Sequence, residues 1–215
     1  MKKGYLIAIV LLIVTWAFTA AMLMILPDTV PAHYNAAGEV DRFGSKYEQL
    51  ILPLFITLLA VGFMMTSHKR KIYGEKRSLM KTCVIMQAVL LALFAYLSLK
   101  ALTFTSSDVR LFDDIWRFAA MLVGVTVAAI ATAVREVPRN RLFGLRTKWS
   151  LSSDAVWAKS QRFAGITGIG AGCLMLLGAC ILQGIAAGIA AFSLLVLWTV
   201  LCTVASYRFA KSEEQ

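Results

Sequence analysis

The chain has 215 residues, 59% of them hydrophobic and only 16% charged, with a formal net charge of +10. An ordinary soluble domain is roughly 45–50% apolar, so this composition excludes that class and points to a polytopic membrane protein. The positive charge reads as membrane topology, since no basic surface interleaved with stacking aromatics marks a nucleic-acid-binding fold, and no direct contact with nucleic acid is expected.

Residues 4–26 form an uncharged apolar run behind Lys2 and Lys3, which predicts a first membrane-spanning helix. Its apolar core exceeds the roughly 7–15 residues of a signal peptide, so an uncleaved helix is the expectation, although the small residues at 19–21 leave cleavage open. Residues 26–48 read as a loop, because Pro27, Pro31, Gly38 and Gly44 interrupt any continuous helix. A second helix is expected over 49–67, with Pro53 in the first turn, where a missing N–H costs little. The segment 68–81 carries six Lys or Arg and reads as a short basic link to a third helix over 82–105, whose one strongly polar interior residue is Gln87. Lys100 stands near enough to its end to snorkel.

An acidic turn over 106–114 with Asp108, Asp113 and Asp114 leads to a fourth helix at 115–134. Arg117 stands at its third position, where it reads as an interfacial anchor able to pair with Asp113 or Asp114. The stretch 135–163 is the long polar interruption of the second half, with seven Lys or Arg against Glu136 and Asp154, and with Trp149 and Trp157 placed as interfacial aromatics. Helices over 164–182 and 185–207 follow, joined by Gln183 and Gly184 in a hairpin. Small residues recur every four positions at Ala120, Gly124, Ala128 and Thr132, at Ala164, Gly168 and Gly172, and at Gly184 and Gly188, predicting close helix packing. Cys83, Cys173, Cys180 and Cys202 all fall in apolar runs without metal or redox spacing and read as packing residues.

The expected fold is therefore all-α, a polytopic integral membrane protein with six transmembrane helices. Three units divide it: 1–67 with the loop at 27–48, 68–134, and 135–215. With the amino terminus inside, 17 of the 22 Lys and Arg fall on the inner side, so both termini are expected to be cytoplasmic and the proline-bounded loop to face outward.

His33 reads as a solvated loop histidine, and no nucleophile with a base, phosphate loop or zinc motif is present, so neither an enzyme nor a cofactor is expected. In the basic stretch, Gly144 permits a turn that Asn140 can close through its amide, and Ser152 or Ser153 can cap a helix with Asp154 in its first turn. Arg146 and Lys148 suit acidic lipid headgroups. On charge and periodicity alone this stretch reads as a topogenic interfacial loop ahead of a binding site.

Two passages resemble one family. P-D-T-V-P-A-H-Y-N-A-A-G-E-V-D-R-F-G-S-K in the outer loop is similar to an amino-terminal domain of unknown function, and N-R-L-F-G-L-R-T-K-W-S-L-S-S-D-A-V-W followed by R-F-A-G resembles the signature of the SdpI-like membrane immunity proteins. Asn140, Gly144, Arg146, Thr147, Trp149, Leu151 and Trp157 stand where that signature has them, while Gln161 departs from the His or Asn of many members. If that position touches a partner, the partner differs here. The resemblance implies a multi-pass protein of the bacterial inner membrane that protects against a secreted, membrane-active peptide toxin. It also implies a second partner, a small DNA-binding repressor held at the membrane. Pro27, Pro31, His33, Asn35, Gly38, Ser45 and Lys46 are the candidates to face toxin or ligand. The signature residues and Arg162 are the candidates on the cytoplasmic side, with Arg146 expected to matter more than Arg141. The alternative is a receptor or accessory subunit for another ligand or lipid, without an immunity role. A transporter finds no support, because no matched pair of broken hydrophobic segments is present.

Overall fold

The computed structural model describes residues 2–35, 37–104, 114–135, 137–140 and 143–213. Asp108, Arg110, Asp113, Glu136 and Arg141 lie outside these residues. The elements run α1 (Lys2–Ile25), a β-hairpin of β1 (Thr29–Tyr34) and β2 (Val40–Ser45), a 3-10 turn (Lys46–Leu50), α2 (Ile51–Lys69), α3 (Tyr73–Phe104), α4 (Ile115–Val134), α5 (Asp154–Ile181) and α6 (Ile185–Lys211). Among the described residues six helices are long and apolar enough to cross a membrane, so the chain is an all-α polytopic membrane protein with one small hairpin added. An even number of crossings leaves both chain ends at one end of the bundle. Gly4 indeed lies against Met80 near the start of α3, and Ser153 before α5 donates a hydrogen bond to Glu213 beyond α6.

The helices pack in two groups of three. In the first, Ala8, Ala60, Met80 and Cys83 bury one another between α1, α2 and α3. Gln87 is fully buried there, and its Nε2 donates to the Ala8 carbonyl at 3.1 Å while its Oε1 accepts from Cys83 Sγ at 3.6 Å. A polar tie of this kind between membrane helices contributes about 0.6–2 kcal/mol.

The second group centres on α4 and α5, whose small-residue rows meet as expected. A Cβ added to Gly172 would lie 2.5 Å from the Gly124 carbonyl, and one added to Gly124 would lie 2.9 Å from the Gly172 carbonyl. The two backbones are in contact, which only glycine on both helices allows. Of the last pair in the sequence, Gly188 faces Trp116 of α4 and Gly184 forms the turn into α6 with φ 56.

Two expectations are corrected. The outer loop is an antiparallel hairpin, pairing Thr29 with Ser45, Val30 with Gly44 and Tyr34 with Val40. Pro31 is tolerated because a two-stranded sheet has only edges, and the irregular register beside it absorbs the missing N–H. Such a hairpin is marginal alone. It is held by Val30 packing with Met22, Leu26 and Ala101, and by Lys100, whose ammonium lies 4.4 Å from the Tyr34 ring centroid instead of snorkelling freely.

The second correction concerns the basic segments. Only Arg70, Lys71 and Ile72 separate α2 from α3, so Lys76, Arg77 and Lys81 ride on the first turns of α3. Likewise α5 starts at Asp154, well before the apolar run at 164, with Ser153 Oγ accepting the Val156 N–H at 3.1 Å as its cap. Loss of apolar character marks where a helix leaves lipid, not where its hydrogen bonding stops.

Arg117 stands near the start of α4 beside Asp114 as expected, the other expected partner Asp113 lying outside the described residues, and it has a further role. Its Nε donates to the Ala179 carbonyl at 2.6 Å and its terminal nitrogen to the Cys180 carbonyl at 2.8 Å, so it satisfies the open end of α5. Asp114 caps α4 through the Arg117 N–H at 3.0 Å and ties it to the α5–α6 link through the Gly184 N–H at 2.6 Å. Partial burial would raise the Asp114 pKa, but the N–H groups of Gly184, Arg117 and Trp116 and the nearby guanidinium together hold it below the usual carboxylate value.

The α4–α5 seam gives a direct test. Gly172→Leu should lower stability by about 1–3 kcal/mol through overpacking. Gly170→Leu, on a face with no atom within 4 Å, should leave the thermal unfolding midpoint in detergent level or slightly raised. Equal losses would refute the contact.

Candidate functional site

The polar stretch between α4 and α5 folds as a compact loop at the basic end, and its own side chains build it. Val137 closes the end of α4 through its N–H to the Val134 carbonyl at 3.2 Å. Asn140 then closes the following turn as expected, with Nδ2 donating to the Pro138 and Phe143 carbonyls at 2.8 and 3.1 Å and Oδ1 accepting the Phe143 N–H at 2.8 Å. Gly144 follows at φ 107, a conformation that side chains resist, and a Cβ there would stand 2.6 Å from Gln161 Oε1.

Gln161, which departs from the signature, turns out to serve the loop itself. It is fully buried, and its amide grips one backbone unit: Oε1 accepts the Leu145 N–H at 2.8 Å and Nε2 donates to the Leu145 carbonyl at 2.9 Å. It therefore contacts no outside partner and serves the loop as a neighbouring strand would. The available signal was its position one turn after Trp157 on α5, which puts both on one face. The expectation for Trp157 is corrected. It is 2% exposed, with Nε1 donating to the Val137 carbonyl at 2.8 Å, so it belongs to the interior and not to an interfacial belt.

The rest of the loop is pinned to α6. Ser150, fully buried, accepts the Thr147 N–H at 2.9 Å and donates to the Leu145 carbonyl at 2.8 Å. Thr147 Oγ1 shares a hydrogen bond with Ser206 at 2.8 Å, and Trp149 meets Tyr207 edge-on at 5.2 Å between ring centroids. Leu151 is half-buried. Asn140, Gly144, Thr147 and Trp157 thus form the frame of the loop, whereas Arg146, Lys148 and Arg162 project from it, exposed.

At the opposite end the hairpin brings together its own candidates. Asn35 and Gly38 make the turn: Asn35 Oδ1 accepts the N–H groups of Ala37 and Glu39 at 2.9 and 3.0 Å, and Gly38 adopts φ 84. Ser45 caps the 3-10 turn, Lys46 pairs with Asp28 at 3.0 Å, Pro27 is exposed and Pro31 buried. His33 projects outward but is paired, its Nδ1 lying 2.6 Å from Asp41 Oδ1.

Between hairpin, α2 and α3 lies a cleft of about 400 Å³ with Tyr34, Arg42, Glu48 and Gln49 on its polar side and Phe94 and Ile115 on its apolar side. Arg42 and Glu48 close one rim as a two-pronged pair at 2.9 and 3.2 Å. The Tyr34 hydroxyl is buried without a hydrogen-bond partner among the described residues, and burial pushes its pKa up. Such a cleft suits an amphipathic ligand that brings a hydrogen-bonding group and an apolar side chain together. No group of three or more metal-binding side chains occurs among the described residues.

Residues 136–206 match the model of the SdpI/YfhL protein family, and residues 10–57 match that of a domain of unknown function, DUF1648. A 53-residue stretch is 49% identical to an uncharacterized protein of Archaeoglobus fulgidus, covering 25% of this chain and 27% of that protein's length. No solved structure matches. The first match spans the clamped loop, α5 and most of α6, and the second spans most of α1, the hairpin and the start of α2. Residues 136–206 are thus similar to the SdpI/YfhL protein family, and a stretch similar to DUF1648 precedes them.

Proposed function

We propose that this protein is a membrane immunity protein that protects the cell carrying it against a secreted, membrane-active peptide toxin. The observation that supports this most directly is that the SdpI/YfhL match falls on a loop folded by its own signature residues, with Gly144, Leu145 and Trp157 all in register with the same face of α5. In this reading the toxin meets the hairpin end, where the cleft at Tyr34 offers apolar and polar walls together. The signature loop faces the cytoplasm of a bacterial cell, as the distribution of Lys and Arg favours. A small repressor held at the membrane would meet the exposed Arg146 and Lys148. The protein acts by binding and not by catalysis, because the buried amides and hydroxyls of the loop are committed to its own backbone.

Cells lacking the gene should be killed by the cognate peptide at lower concentration than cells carrying it. Unchanged survival against every peptide toxin made by the same or neighbouring cells would overturn the immunity role. Orientation is tested separately by an impermeant thiol reagent on whole cells. Ala37→Cys in the hairpin turn should react at once, and Lys148→Cys only after permeabilisation; the reverse pattern would invert the assignment of the two ends.

The loop itself separates frame from contact. Gln161→Leu leaves the Leu145 N–H unmatched, while the Leu145 carbonyl keeps its bond from Ser150, and should destabilise the protein by about 1–3 kcal/mol, seen as a lower unfolding midpoint and easier proteolysis near Gly144. Arg146→Ala should leave both unchanged yet lower protection. Loss of stability in the Arg146 variant would assign that residue to the frame instead.

A further inference from the structure

A second cleft, of about 880 Å³, opens at the basic end where α3 begins, α4 ends and α5 begins. Arg135, Arg139 and Arg162 line it with Asp154 as the one acid among the described residues, Ile72, Pro138 and Ala158 form an apolar wall, and Gly74 on α3 lies against Pro138. Arg139 is engaged by Asp154 at 3.3 Å. Arg135 and Arg162 are exposed and have no acidic partner among the described residues.

The position of Arg135 is built into the helix packing. Its stem crosses α5 at Gly165, where a Cβ would overlap the Arg135 Cγ, so glycine at that position lets the guanidinium swing toward the cleft. The starts of α3 and α5 both border the space, and their free N–H groups add positive potential to that of the arginines. Depth is set by sequence: Arg135 directly follows the last apolar residue of α4, and Arg162 directly precedes Phe163, where the apolar face of α5 resumes. Both cations therefore stand at the boundary between hydrocarbon and water, the level of lipid phosphates.

We propose that this cleft binds the phosphate-bearing headgroup of an anionic phospholipid, with Arg135 and Arg162 facing the phosphate and Ile72, Pro138 and Ala158 against the glycerol and upper acyl chain. Free phosphate carries the same anionic chemistry. A lipid is assigned because the cations sit at bilayer depth beside an apolar wall. This site lies at the end opposite the hairpin and stands independently of the immunity reading.

Purified full-length protein in neutral detergent is titrated with phosphatidylglycerol or phosphatidylcholine, and retained lipid is counted by native mass spectrometry alongside the thermal unfolding midpoint. Phosphatidylglycerol should remain bound and raise the midpoint; phosphatidylcholine should do neither. Arg135→Gln with Arg162→Gln should weaken phosphatidylglycerol binding by about tenfold or more, given the contribution expected per interfacial charge. Arg208→Gln with Lys211→Gln removes the same charge from the same end outside the cleft and should change binding little. Ala158→Glu, at an exposed helical position lining the cleft, keeps every arginine and should also release the lipid, which covers the case in which the double arginine variant fails to fold. Equal binding of the two lipids, or equal weakening by the cleft and control pairs, would overturn the proposal. So would inorganic phosphate alone reproducing the rise in midpoint and displacing the lipid, since the site would then read phosphate and not a membrane component.

Discussion

The contact between the backbones of Gly124 and Gly172 governs the carboxy-terminal half. Lipid tails are as apolar as leucine, so no hydrophobic drive gathers helices within hydrocarbon, and close van der Waals approach has to supply the attraction. Small residues let α4 and α5 approach along much of their length, with Ala128 beneath Gly172 and Ala131 beneath Gly168. Fixing the two axes also fixes where each helix emerges at the basic end. The connection between them starts and finishes at set points and closes as a compact loop.

That loop meets a constraint of its own. It is short of regular structure yet packed on helices, so its N–H and carbonyl groups need partners other than water. Side chains provide them: Gln161 for Leu145, Asn140 for Phe143, Ser150 for Thr147 and Trp157 for Val137. Each supporting residue of α5 lies on the face turned toward the loop, while Ile166, Lys159 and Arg162 lie on its exposed faces. Asn140 and Trp157 of the signature, with Ser150 and Gln161 beside them, are thus explained by backbone satisfaction, leaving a few exposed cations as the part available to another molecule.

The membrane spans were legible because burial in lipid demands an uninterrupted apolar run, and the fourth helix was read to the residue. Its neighbours were not, because the first turns of α3 and α5 lie in water, where Lys76, Arg77 and Lys159 are as good helix formers as any apolar residue. The hairpin was hidden for a different reason. Pro31 and a shifted register conceal the alternation that normally announces strands, and what holds it, Val30 among Met22, Leu26 and Ala101, is tertiary. The turn at Asn140 and Gly144 could be read, since both residues act within a few positions of themselves. The clamp at Gln161 spans 16 residues to Leu145, and a pairing at that distance leaves no local trace.

The arginines divide the molecule functionally. Arg117 is committed to the carbonyls of Ala179 and Cys180, Arg42 to Glu48 and Arg139 to Asp154. Each of these bonds closes a helix end, a strand or a loop. At the hairpin end the unmet polar group is therefore a neutral one, the Tyr34 hydroxyl in a half-apolar cleft, whereas at the basic end the exposed cations Arg135, Arg146 and Arg162 stand without acidic partners among the described residues. The first surface is suited to recognition by shape and hydrogen bonding, and the second to recognition by charge, which salt screens. The two ends thus offer chemically unlike surfaces. The rigid α4–α5 pair, running from Asp114 and Ala179 at one end to Arg135 and Trp157 at the other, physically connects the two surfaces.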